Sequence, residues 1–411
     1  PHWPTRAVCR PRQGEPMPIH LFHRAALPSG GGTNRLAIDT ARRLRRGGHE
    51  VALVHSRDGG QFDGTGYIYD DLDFRLLPRD EKAMRLEAII EDFAPDVIQI
   101  HGVGNTLLDG WLAARRPTVR FVHNHDLYCS GRMLTLQRPA EPCAHAHGRS
   151  CCASHILRGC GSANPVTNFM RYRAVSRGLP VLRSLHGLQA MSESVARQLE
   201  ANGIEPEKVV RLPLYAPVWP AAESAPSSSL RTILHVGGLL GHKGVWMVVR
   251  MLRDLPPDVQ LVLAGGGKDK ELLEEHVRRR GLGTRVRIVG EPTPEQWSFL
   301  YRESTLVVMP VLWNEPLGLD GLAAMAHGKP VVAFDTDGIR QWLRHEETGL
   351  CVTFGDRVGF RAAVRGLIED RHKLRELGKR AREVWRDNFS PQRHIAALVA
   401  HYEKVAGATK S

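Results

Sequence analysis

No apolar run in this 411-residue chain approaches the roughly 20 residues that a membrane-spanning helix needs, so helical spans are excluded. The first residues also lack the continuous apolar core of a secretory leader. No block of Lys and Arg is interleaved with aromatic residues, which argues against a nucleic acid partner. Seven cysteines are present, yet their spacing never gives the paired CxxC motifs of a standard zinc site.

What is present is globular: 42% hydrophobic and 24% charged residues, in a chain long enough for two domains of common size. The formal net charge is +12, roughly +7 before residue 217 and roughly +5 after it. A basic balance of this kind suits anionic lipid headgroups or phosphorylated substrates, with simple Arg-rich composition as the plain alternative. Pro1 to Glu15 is rich in Pro and Arg and reads as a disordered lead-in. Met17 directly precedes the first strand candidate, so residues 1–16 are expected to be a non-native extension and Met17 the natural start.

Short strand candidates alternate with amphipathic helices in two stretches. The first contains Ile19–His23, Val51–His55, Phe74–Leu77, Val97–His101, Val119–His123, Leu188–Met191 and Val209–Leu212. The second contains Thr232–Val236, Gln260–Ala264, Val286–Val289, Leu306–Met309, Pro330–Phe334 and Gly349–Val352. Such alternation predicts α/β architecture with doubly wound parallel sheets. Residues 17–215 are read as one Rossmann-like domain and 230–388 as a second. The Pro-, Ala- and Ser-rich stretch 216–229 is the linker. The 389–411 tail is helical by pattern and is expected to pack back on the first domain. Two open sheets joined this way bind ligands in the cleft between the carboxyl ends of their strands.

Four segments carry candidate chemistry. A glycine loop, Gly30-Gly31-Gly32-Thr33-Asn34, lies between the first strand and first helix and lets backbone approach a ligand. No Gly-Lys-Ser/Thr follows, so it is not a P-loop. A second loop, Gly237-Gly238 followed by Lys243-Gly244, places a cation where a helix opens, as a phosphate site requires. His123 follows a buried strand in Val122-His123-Asn124-His125, with His125 as its competitor; either is read as structural if it carries no ligand. In the fourth, Asn314-Glu315-Pro316-Leu317-Gly318-Leu319-Asp320, Pro316 suits a first helical position, and Gly328 suits the helix end. The uncapped N–H groups there would seat a diphosphate, and Glu315 would accept sugar hydroxyls.

The block from Val311 to Ala333, together with Lys243-Gly244 and the His123…Cys129 spacing, resembles retaining glycosyltransferases of family 4 (glycosyl transferases group 1), which have the GT-B fold. The resemblance implies two Rossmann-like domains facing each other across a cleft, the first binding an acceptor and the second a nucleotide-sugar donor such as a UDP- or GDP-sugar. It implies His123 and Glu315 as catalytic residues. It also implies donor contacts from Gly31, Gly32, Gly237, Gly238, Lys243, Gly290, Pro316, Leu317, Gly318 and Leu319. No cofactor or divalent metal is implied. A glycan or glycolipid acceptor, a surface-polysaccharide role, and a cytoplasmic site on the inner membrane face follow from the family alone. The chain departs from the pattern at Ala323, where a second glutamate is usual, and at Gly238, where an arginine is common. Asp320, one helical turn before Ala323, is a candidate substitute on the ribose. The same departures leave a non-catalytic nucleotide-sugar-binding or scaffold relative as the alternative.

Residues 129–160 form a cysteine-rich insertion. Cys129, Cys143, Cys151, Cys152 and Cys160, among three histidines, are compatible with a structural zinc ion, with reduced packing cysteines or with disulfides.

Overall fold

The computed structural model describes residues 17–23, 32–55, 67–69, 81–102, 106–212, 214–216 and 231–410. The strand candidate Phe74–Leu77, the lead-in 1–16 and nearly all of the 216–229 linker lie outside these.

The first sheet contains β1 (Pro18–His23), β2 (Glu50–His55), β3 (Tyr67–Tyr69), β4 (Val97–His101) and β5 (Thr118–Val122). A short antiparallel hairpin of β6 (Thr135–Gln137) and β7 (Ala140–Pro142) follows, and then β8 (Gly187–Ala190) and β9 (Val209–Arg211) complete the sheet. Its seven strands are all parallel, in the order β3-β2-β1-β4-β5-β8-β9. The second sheet holds β10 (Arg231–Val236), β11 (Val259–Ala264), β12 (Val286–Gly290), β13 (Leu306–Met309), β14 (Val331–Phe334) and β15 (Gly349–Val352). It is also parallel, in the order β12-β11-β10-β13-β14-β15. Strands β4, β5, β8, β13 and β14 are buried at every position, because helices cover both faces of each sheet. The order of each sheet reverses between its first and fourth strands, β1/β4 and β10/β13, and a crevice opens there.

The carboxyl-end loops of the two sheets meet. The loop after β5 reaches Asn314, which follows β13: His125 Nε2 donates to the Asn314 carbonyl at 2.6 Å, and the Asn314 N–H donates to Thr135 Oγ1 at 2.7 Å. Ser194, after β8, donates from its hydroxyl to Asp337, after β14, at 3.2 Å. The sheets therefore face each other through the edges at which ligands of such folds bind.

The last helix, Pro391–Lys410, buries Leu398, Tyr402, Val405 and Ala406 in the same apolar cluster as Met17, Ile19 and Leu21 of the first sheet. It packs on β4 and on the first helix, Gly32–Arg46. Lys404 Nζ donates to the Glu207 carbonyl at 3.3 Å, and the His394 ring lies 5.1 Å from that of Tyr215.

Candidate active site

Strand ends position the site. After β10 the chain turns through Gly237 and Gly238, and the Gly237 N–H bonds the Ala264 carbonyl at the end of β11 (3.0 Å). The Gly265 N–H in turn bonds the Gly290 carbonyl at the end of β12 (2.6 Å). Three glycine-bearing strand ends are thus laced side by side, with backbone rather than side chains lining the crevice. One 3₁₀ turn, Gly241–Lys243, then carries the lysine. Gly244 closes that turn with φ +75°, and a Cβ there would collide with the Pro310 carbonyl at the end of β13. Only glycine lets the Lys243 turn press this closely against β13.

The close approach joins Lys243 to the segment after β13. Lys243 Nζ donates to Glu315 Oε2 at 2.8 Å, and Trp313 Nε1 donates to the same oxygen at 2.8 Å. The ammonium also lies 4.8 Å from the Trp313 ring centroid, a cation–π distance. Both charged side chains are mostly buried, Lys243 at 20% and Glu315 at 10% exposure. A charge-assisted bond between such groups contributes about 1.5–3 kcal/mol. An anionic ligand could draw the ammonium away and free the carboxylate, so the pair can exchange one partner for another.

The helix after Glu315 begins later than the sequence implies. Pro316 is not its first residue: Gly318 takes φ +87° as the N-cap, and the helix runs Leu319–Ala326. The left-handed turn at Gly318 breaks helical geometry between Pro316 and Leu319. The Trp342 indole fixes this turn by donating to the Leu317 carbonyl at 2.6 Å. Among the described residues no side chain caps the helix start. Gly328, with φ +65°, ends the helix as the sequence implies.

On the first-sheet side, His123 follows β5, stacked on Phe121 with ring centroids 4.5 Å apart. His123 Nε2 shares a 3.0 Å hydrogen bond with Nδ1 of His101, the last residue of β4. His125 does something else. Its Nδ1 accepts the Tyr128 hydroxyl (2.6 Å), its Nε2–H bonds Asn314, and burial pulls its pKa down to about 4. It is a neutral link between the two halves, and His123 stays a candidate for the donor sugar.

Against this geometry, the family model for glycosyl transferases group 1 matches residues 221–384, and that for glycosyltransferase family 4 matches residues 30–214. The chain belongs to the group 1 glycosyltransferases. It is 29% identical over 310 residues to the alpha-maltose-1-phosphate synthase of Mycolicibacterium smegmatis, covering 69% of this chain and 79% of that one. Over 158 residues it is 30% identical to the lipopolysaccharide core biosynthesis glycosyltransferase LpsD of Rhizobium meliloti, covering 38% and 45%. It spans half the length of the Mycobacterium tuberculosis glycogen synthases it matches. In fold it is similar to sucrose-phosphate synthase from Thermosynechococcus elongatus, with a TM-score of 0.74 and 19% identity, covering 95% of this chain and 100% of that one. Anabaena HepE, solved in complex with UDP-glucose, gives 0.68 and 18%, covering 96% and 99%. The fold is GT-B, as the sequence implies.

In this glycosyltransferase, Ala323 is buried in the short helix and its carbonyl accepts His327 Nδ1 (2.7 Å). The Asp320 carboxylate points to the glycine loop: Oδ2 lies 3.2 Å from where a Cβ on Gly237 would sit. Asp320 therefore presents a carboxylate at the strand-end loops, one turn from the position where the usual glutamate is absent. Gly32 opens the first helix, whereas Gly31 lies outside the described residues.

The zinc expectation needs correction. Among the described residues no group of three or more His, Cys, Asp or Glu is arranged to hold a metal ion. Cys129, Cys143, Cys151, Cys152 and Cys160 are all free thiols. Cys129 and Cys143 pack against the apolar core, and Cys152 faces solvent. Burial pushes the Cys129 and Cys160 thiols up to about 11, so both stay protonated. Cys129 and Cys143 behave as small packing residues.

Sequence reasoning overlooked His101, Trp313, Thr135 and Asp337 as parts of this site. For His101 a signal existed. The strands β1, β2 and β4 each end on a histidine, and these stand in register: His23 beside both His55 and His101. The others are brought in by tertiary contact across the crevice.

Proposed function

We propose that this chain transfers a sugar from a UDP- or GDP-linked donor to an acceptor hydroxyl with retention of anomeric configuration and without a divalent metal. The observation that carries the reading is the Lys243–Glu315 pair at the switch point of the second sheet, beside an uncapped helix start. On donor binding, Lys243 and the N–H groups of Gly238, Gly318 and Leu319 take the diphosphate, with Gly237, Pro316 and Leu317 shaping the turns. Gly31 and Gly32 are assigned to the diphosphate and the transferred sugar, and Gly290 to the wall of the base. Glu315, released from Lys243, holds sugar hydroxyls and stabilises positive charge at the anomeric carbon. His123, steadied by His101, hydrogen-bonds the sugar. The C1–O bond to the diphosphate breaks as the acceptor oxygen attacks from the same face, and the acceptor proton passes to a phosphate oxygen. The domain limits 17–215 for acceptor and 230–388 for donor belong to this reading.

The acceptor is a glycan or glycolipid of surface-polysaccharide biosynthesis, met at the cytoplasmic face of a membrane to which the protein binds peripherally. Among the described residues no helix is long and apolar enough to cross a membrane. Ala323 favours one second reading, a nucleotide-sugar-binding relative with little turnover. Calorimetric titration with UDP, GDP and ADP, with Lys243→Ala as control, tests the donor site. Selective binding of one nucleotide, weakened in the variant, supports it; no binding of any removes it. Transfer or slow hydrolysis of the matching sugar nucleotide then separates enzyme from binding relative.

A further inference from the structure

Two helices that pack on each other beside the cysteine-rich loop leave their outer faces uncovered. Ser150–Leu157 exposes Cys152, Ala153, Ile156 and Leu157. Pro165–Ser184 exposes Val166, Phe169, Met170, Arg173, Ala174 and Arg177, spaced by three and four and hence on one face. Ten large apolar side chains are exposed among the described residues, and five of them, Ile156, Leu157, Val166, Phe169 and Met170, fall within this short stretch. They are 59–77% exposed. Single exposed apolar residues are ordinary, but a cluster of this kind marks a docking surface.

Its charge says what docks. From Pro142 to Ser192 there is no Asp or Glu, but there are six arginines. Four of them, Arg149, Arg173, Arg177 and Arg183, are exposed. The Arg173 guanidinium lies 5.6 Å from the Phe169 ring centroid, so cation and apolar surface adjoin on one face. A second copy of the chain would suit this face poorly, because a two-fold contact sets the arginine rows against each other. An anionic bilayer matches both features: apolar tips enter the headgroup boundary and arginines meet phosphates. The surface is also tied to the crevice. Ser130, in the loop after β5, bonds its hydroxyl to Nε2 of His155 at 2.9 Å, and His155 lies on the first of the two helices.

We propose that the face formed by Ile156, Leu157, Val166, Phe169 and Met170, collared by Arg149, Arg173 and Arg177, docks this protein on anionic lipid bilayers. The proposal rests on the reading that the acceptor is met at a membrane, but its test needs neither donor nor turnover. Full-length protein would be sedimented with vesicles of phosphatidylcholine alone and of phosphatidylcholine mixed with phosphatidylglycerol. Binding is expected for the mixed vesicles only. It should fall about tenfold or more in the double variant Arg173→Glu/Arg177→Glu, and similarly in the triple variant Ile156→Ser/Phe169→Ser/Met170→Ser. All of these side chains are exposed, so the variants should keep the parent's thermal midpoint. Equal binding by parent and variants, or no vesicle binding, overturns the proposal. So does light scattering that finds a dimer made monomeric by the apolar triple variant. Nucleotide titration of the same samples keeps the two readings apart. Nucleotide binding without vesicle binding sinks the docking surface alone, and vesicle binding without nucleotide binding sinks the donor site alone.

Discussion

Lys243 and Glu315, 72 residues apart in sequence, are joined by a 2.8 Å bond from Nζ to Oε2. Each satisfies the other while no ligand is present, and each is asked to serve a different part of the donor. Binding a diphosphate therefore has to exchange one charge-assisted bond for others, and the two residues should separate in their effects. Lys243→Ala should lower affinity for the cognate nucleoside diphosphate roughly ten- to a hundredfold, the loss of one charged contact. Glu315→Gln should leave that affinity unchanged or raise it, since Lys243 is then held less tightly. The same variant should lower the transfer rate about a hundred- to a thousandfold, as loss of a charge-stabilising group does. Calorimetry and steady-state transfer rates check the two halves; a Glu315→Gln variant that loses nucleotide affinity as Lys243→Ala does would contradict the division of roles.

Asp320 is the test of how the chain tolerates Ala323. Its carboxylate faces the Gly237 loop, so Asp320→Ala should weaken nucleotide binding by about tenfold if it holds the ribose. Asp320→Asn, which keeps one acceptor oxygen, should lose less. Titration with the nucleoside diphosphate and with inorganic diphosphate checks this, because only the ribose-bearing ligand should respond. Equal nucleotide binding by parent and Asp320→Ala rules the role out.

Most of the two sheets was legible in the sequence. Strands such as Leu306–Met309 and Gly349–Val352 are short apolar runs bounded by breakers, and burial on both faces allows little else there. The three-residue strands β3, β6 and β7 were not legible, since pairing rather than pattern defines them. The glycine loops could be read because backbone geometry demands that residue type at strand ends, whereas Glu315 and Lys243 were picked out by a family resemblance. Asn314 could not. Its side chain donates to Asp337 at 2.9 Å, while its backbone bonds His125 and Thr135, 189 and 179 residues away. No local pattern encodes a contact made only when two sheets meet.

That contact makes a prediction about opening. Asp337 accepts from both Asn314 and Ser194, so it ties the segment after β13 to the loop after β8. Asp337→Ala should remove both bonds and loosen the closure of the crevice. Faster amide exchange at residues 123–135 and 192–195, with exchange in β13 and β14 unchanged, is the expected outcome, and a larger radius of gyration by X-ray scattering should accompany it. An unaltered exchange pattern would mean that the backbone bonds of Asn314 suffice.

Buried ionisable groups set the response to acid. Burial pulls the pKa of His125, His235 and His401 from 6.5 down to about 4. A histidine depressed in the folded state binds its proton more readily when unfolded, so its contribution is lost as pH falls from 6.5 towards 4. Each can cost up to about 3 kcal/mol once fully protonated, at about 1.4 kcal/mol for each tenfold difference in proton affinity between the folded and unfolded chain. Asp109 acts in the opposite direction. Burial, only partly offset by the Arg120 partner, raises its pKa from 3.8 to about 6, so its contribution declines as pH rises through that window. Three histidines outweigh one aspartate, and the thermal midpoint should fall steeply between pH 6.5 and 4. His401 isolates the effect. Neither ring nitrogen has a hydrogen-bond partner among the described residues, and the ring packs against Gly187 away from the crevice. His401→Leu should flatten the acid limb and, by removing a buried polar ring that gains no bond, stabilise the fold by about 1–2 kcal/mol near pH 5. Scanning calorimetry of parent and variant across that range checks it: parallel curves would show that His401 takes up no proton on unfolding, and that the acid sensitivity belongs to His125 and His235.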